Sequence, residues 1–185
     1  MSFEKLSTEQ FRVKMQSKAI DIYKSVFDGC IYSRELDINK DKHFSIDATL
    51  TLSDGQKITI QEKFRNYDFL TNPRLQNRPP FPDFTQEYKN AEGTVYENDG
   101  EFFKLFAQLY FYGWADSGGT GFVRWCILDV AKYKNILFQK GIGNIGKKMN
   151  NKKHGKASFY AIPIYELKES FLFSNFNINK LCLTT

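Results

Sequence analysis

Three side chains between Ser45 and Arg65 have types and spacing that could act on a phosphate ester: Asp47, Gln61 and Lys63. A carboxylate can hold Mg²⁺, an amide oxygen can stand beside it, and an ammonium can place a water and offset negative charge developing on phosphorus. Magnesium takes oxygen ligands and keeps some of its waters, so two or three protein oxygens suffice, and Mn²⁺ can substitute for it.

Those residues need two adjacent extended segments to bring them together. Ile46, Ala48, Leu50 and Leu52 alternate with Asp47, Thr49 and Thr51, Ser53-Asp54-Gly55 makes a tight turn, and Lys57 to Phe64 reads as the return strand of a hairpin. Side chains alternate along a strand, so Thr59, Gln61, Lys63 and Arg65 fall on one face and Ile58, Ile60, Glu62 and Phe64 on the other. A regular hairpin puts Asp47 on the face of Gln61 and Lys63. For Glu62 to act as the acid instead, it must use the Ile60 face or a bulge must reset the register.

The surrounding chain supplies further elements. From Ser7 to Phe27, Phe11, Met15, Ala19, Ile22, Tyr23 and Val26 recur at helical spacing, with Ser7-Thr8-Glu9-Gln10 as a capping pattern and Asp28-Gly29 as a stop. Residues 66–100 carry four of the five prolines and read as a long loop or flap with a short helix near Asp83–Asn90. Glu101 to Trp114 is apolar nearly all round and reads as a buried helix, and strands are expected at 122–130 and 158–165. These pieces predict one α/β domain over 1–185 with a mixed central sheet flanked by helices.

Asp47, then Gln61-Glu62-Lys63 fourteen residues on, within a helix and hairpin in this order, resembles the PD-(D/E)xK nuclease superfamily, most of all its Mrr-type branch with a D…QxK motif. The resemblance implies a restriction-endonuclease-like core and Mg²⁺-dependent cleavage of DNA, most naturally by an endonuclease. It implies Asp47 as metal carboxylate, the Glu62 carbonyl as a second metal ligand, Gln61 as the second motif position and Lys63 as the catalytic lysine. Glu9 becomes the first-helix acid of the family, a position equally explained by the helix dipole. Gln108 and Tyr112 fit a QxxxY pattern that related nucleases carry on a helix facing DNA. Two departures stand out: Ile46 replaces the proline, and Gln61 replaces an acid. A catalytically impaired module that binds DNA or joins an assembly, with the same fold, is the alternative.

Charge points the same way. The chain carries a formal +5, and six of its 26 Lys and Arg residues lie in the basic loop expected at 140–157: Lys140, Lys147, Lys148, Lys152, Lys153 and Lys156, with no acid among them. Lysines of this kind give sequence-independent affinity for nucleic acid backbones. Cys30, Cys126 and Cys182 have no metal or disulfide spacing, and His43 and His154 have no ligand spacing. Gly141-Ile142-Gly143-Asn144-Ile145-Gly146 lacks the strand, helix and distant acid of a dinucleotide site. With neither an apolar leader nor an 18-residue apolar run, a cytoplasmic protein without a membrane span is expected, and a homodimer would suit cleavage of both strands.

Overall fold

A computed structural model describes residues 8–35, 37, 43–66, 83–151 and 156–176. The predicted first helix is present as α1 (Thr8–Val26). Met15, Ala19 and Tyr23, four residues apart, are fully buried along one line of it. Each of the two larger side chains contributes roughly 1.5–3 kcal/mol by burial. The helix ends where Asp28 and Gly29 take φ of 46° and 73°, a left-handed turn that Gly29 adopts without steric cost and that closes with its amide donating to the Lys24 carbonyl at 2.8 Å.

The expected hairpin is also present. β1 (Ile31–Arg34) pairs with β2 (Ala48–Thr51), and β2 pairs antiparallel with β3 (Lys57–Arg65), Ala48 opposite Ile60 and Thr51 opposite Lys57. Beyond β3 the chain leaves the sheet and returns as β6 (Leu109–Ala115), which lies parallel to β3. β7 (Phe122–Asp129) and β10 (Phe171–Ser174) complete a six-stranded sheet in the order β1-β2-β3-β6-β7-β10. A second sheet of four strands, β5-β4-β9-β8, is built from β4 (Asp83–Asn90), β5 (Asn98–Asp99), β8 (Lys147–Asn151) and β9 (Ala157–Pro163). The fold is therefore α/β with a mixed central sheet.

Two cores lie on the two faces of that sheet. Under α1, Ala19, Tyr23, Ala48, Leu50, Ile60, Phe111 and Ile127 pack together. On the opposite face Tyr110, Tyr112, Trp114 and Leu128 meet Phe84 and Ile162 of the second sheet. The same core takes Tyr133, Ile136 and Leu137 from α3 (Val130–Lys140). α1 therefore covers one face, and the second sheet together with α3 covers the other, where helices alone were expected.

Four expectations are corrected. The helix predicted over 101–114 is only α2 (Glu101–Lys104), after which the chain becomes the central strand β6. All seven β6 residues are buried, because strands flank it and layers cover both faces, so it lacks the alternation that marks a half-exposed strand. The segment 66–100 contains β4 and β5, and Asp83–Asn90 is a strand where a helix was expected; residues 67–82 lie outside the described residues. The basic loop is instead a short helix α4 (Ile142–Ile145) followed by β8. The late strand ends at Pro163, where a 3₁₀ helix (Ile164–Ser170) takes over. No helix among the described residues is long and apolar enough to cross a membrane.

Gly113 stands in the crowded centre of β6. A Cβ there would lie 2.6 Å from the Phe122 ring and 2.8 Å from the Phe111 ring. Gly113→Ala is expected to lower the unfolding free energy by roughly 1–3 kcal/mol, since both rings must shift in a close-packed core. Urea unfolding measures this, and an unchanged midpoint would contradict the packing described.

Candidate active site

β2 does not continue regularly into Asp47. Ile46 packs in the core between the sheets and Ala48 in the core under α1, although a regular strand would put both on one face. The Asp47 amide donates to the carbonyl of Ile60, the residue already paired with Ala48, at 3.0 Å. This break in register turns the Asp47 side chain along the edge of β3. There its Oδ2 accepts the Glu62 amide at 2.8 Å, taking the place of the next carbonyl of the ladder. Its Oδ1 lies 3.6 Å from Arg12 of α1. The expectation that Asp47 shares a face with Gln61 and Lys63 is thus corrected: Asp47 occupies the strand edge on the helix side.

Glu62 points under α1 and is 8% exposed. Tyr23 donates to its Oε1 at 2.8 Å, and Tyr32 and Gln16 each reach its Oε2 at 3.1 Å. Burial raises its pKa, and these hydrogen bonds pull in the opposite direction. The main chain of Glu62 meets a different environment. In a strand the N–H and C=O of one residue point to the same edge, so the Glu62 carbonyl faces the side where Asp47 accepts its amide.

Gln61 and Lys63 project from the opposite face, beside Tyr110 and Tyr112 in the parallel register. The Gln61 Oε1 is buried with no hydrogen-bond partner. The Lys63 Nζ lies 2.9 Å from Glu101 Oε2, and the other oxygen of Glu101 accepts the Tyr110 hydroxyl at 2.5 Å. Glu87 lies in the same electrostatic group. Burial raises its pKa, Lys63 opposes the rise and Glu101 adds to it.

The remaining predicted residues are dispersed. Glu9 is largely exposed and pairs with Arg34 at 3.4 Å and Arg12 at 3.9 Å, so it touches the site only through the arginine it shares with Asp47. Gln108 does not lie on a helix: its side-chain oxygen accepts the Thr59 amide at 3.0 Å, at the start of the β3–β6 ladder. Tyr112 is fully buried in β6, its hydroxyl bonded to Arg65 at 2.8 Å and to Thr85 at 2.9 Å. Neither residue forms the helical nucleic-acid face expected of them. Lys147, Lys148 and Lys156 are exposed, with Lys148 paired to Glu92, while Lys152 and Lys153 lie outside the described residues. Sequence reasoning missed Glu101, Glu87 and Arg65. Glu101 opens the apolar run after Gly100 and carries no spacing signal; only the fold brings it to Lys63.

The described residues hold no cluster of three His, Cys, Asp or Glu suited to a metal. A hard cation would therefore rely on a mixed oxygen set, namely the Asp47 carboxylate and Glu62 carbonyl with bound waters, to which Gln61 on the opposite face adds nothing. This set fits magnesium by donor type. Comparisons of the chain with family models, curated proteins and solved structures give no match.

The buried Glu62 makes a measurable pH effect. Its folded-state pKa lies above the ordinary 4.5, so the folded protein binds that proton more tightly than the unfolded chain. Stability should therefore fall as pH rises from about 4.5 through the folded value, and level off above it. Glu62→Gln cannot ionise and should lose this slope. Urea unfolding of both proteins from about pH 4 to about pH 7 tests it, and parallel stability curves would contradict it.

Proposed function

We propose that this protein is a metal-dependent phosphodiesterase that cleaves DNA, as an endonuclease with a restriction-endonuclease-like core. The observation that carries this reading is the bond from the Glu62 amide to Asp47, which ties an acid to the strand residue lying between Gln61 and Lys63. The helix and hairpin appear in the order in which the motif resemblance sets them, and β6 then returns parallel to β3.

In this reading Asp47 and the Glu62 carbonyl hold Mg²⁺ or Mn²⁺, which supplies a positive charge at the phosphate and an acidified water when bound. From the opposite face of β3, Lys63 would offer its ammonium to the phosphate from the cleft side, held there by Glu101, which Tyr110 fixes in turn. Glu101 thereby provides on the lysine face the acid that position 61 lacks. Exposed Phe44 and Phe106, in contact at 5.6 Å with Lys134 over the Phe106 ring, add an aromatic and basic surface suited to unpaired bases.

A second reading has its own support. Asp47 already faces Arg12, and Lys63 is already paired with Glu101, which suits a non-cleaving module that binds DNA. Plasmid nicking with Mg²⁺ or Mn²⁺ against a chelator control separates the two. The enzyme reading expects metal-dependent nicking that slows about a hundredfold or more in Asp47→Ala and Lys63→Ala, and by a smaller factor in Glu101→Gln. Salt-sensitive DNA retention without nicking would favour the module, and nicking that survives both alanine substitutions would remove this site.

A further inference from the structure

A cleft of about 480 Å³ opens between the two sheets, beside Lys63 and away from α1. Its lining includes Lys63 and Arg65 of β3, Thr85 and Glu87 of β4, and Asn150 and Asn151 of β8. The volume falls in the range of small-ligand sites. Arg65 is held in place rather than extended into solvent: Nε donates to the Tyr112 hydroxyl at 2.8 Å, Nη2 donates to the Thr85 hydroxyl, and the guanidinium lies 5.8 Å from the Tyr112 ring centre. A guanidinium fixed by its neighbours loses little conformational freedom when it meets an anion.

The charges on the wall limit the ligand. Lys63 and Arg65 are opposed by Glu87, leaving about one net positive charge, and Glu101 just behind Lys63 reduces it further. That balance disfavours a polyphosphate and suits a group with a single negative charge. Asn151 lies on the face of the second sheet that carries Glu87 and Phe159 into the cleft, and a side-chain amide pairs with the donor and acceptor edges of nucleobases.

We propose that this cleft takes one nucleotide of the substrate strand, with its phosphodiester against Lys63 and Arg65 and its base against the amide of Asn151. This rests on the nuclease reading for the identity of the strand but not for the binding event. Glu87 is the group in the wall whose protonation would strengthen binding, and the charged groups facing it are Lys63, Glu101 and Lys104.

Calorimetric titration of the full-length chain in chelator, where cleavage cannot occur, tests the proposal. The probes are deoxydinucleoside monophosphates, whose one phosphodiester carries a single negative charge, the matching nucleosides, inorganic phosphate and deoxynucleoside triphosphates. Saturable binding of the monophosphates is expected, with nucleosides and phosphate on the order of tenfold weaker or worse, and no gain for triphosphates. Arg65→Gln and Asn151→Ala should each weaken monophosphate binding by about tenfold. Asn151 ends the edge strand β8, so its variant should fold even if the Arg65 substitution does not. Absence of binding to the folded wild type, equal affinity for phosphate alone, or binding unchanged in Asn151→Ala would each overturn the proposal. Binding without plasmid nicking would keep the cleft and discard the enzyme, whereas metal-dependent nicking without monophosphate binding would do the reverse.

Discussion

The hydrogen bond from the Glu62 amide to the Asp47 carboxylate governs the geometry around it. It lies just past the last paired residues of β2 and β3, and it closes that end of the ladder with a side chain in place of main chain. Because Asp47 turns along the strand edge, Ile46 can enter one core while Ala48 enters the other. A single acid thus satisfies a buried donor, joins two hydrophobic layers and brings its charge beside the Glu62 carbonyl. The cost of an unpaired buried amide, roughly 1–3 kcal/mol, is enough to hold the arrangement.

β3 also separates two systems of buried charge. On the helix side, Glu62 gathers Tyr23, Tyr32 and Gln16, and Arg12 bridges Asp47 to Glu9. On the other side, Lys63, Glu101 and Tyr110 form a compact chain next to the cleft. Taking one partner away from such a pair leaves a charge in a poorly solvated place, so each group keeps its neighbour oriented. The helix-side system has the character of a structural clasp, and the cleft side keeps its polar groups at an open surface where a ligand can approach.

The sequence revealed α1 and the hairpin because both have one buried face and one wet face, so Met15-Ala19-Tyr23 and Ala48-Leu50 repeat with the period of their element. It hid β6, since a strand covered on both faces is apolar at every position and resembles a buried helix. It hid β4 because Gln86, fully buried and bonded to Tyr133, fills an inward position where an apolar residue would have completed the alternation with Phe84. Asp47 and Lys63 could be picked out by type and spacing. Their opposite placement could not, because it follows from an irregularity that no local residue pattern announces. The meeting of Glu101 with Lys63 depends on a return from β3 through the second sheet, which is a property of topology.

Binding of Mn²⁺ followed by electron paramagnetic resonance tests the oxygen site at the β3 edge most directly, without relying on turnover or substrate. The account expects one Mn²⁺ per chain in the wild type and loss of that binding in Asp47→Asn, with the fold retained by circular dichroism. Absence of Mn²⁺ binding in the wild type, or the same binding in folded Asp47→Asn, would contradict it.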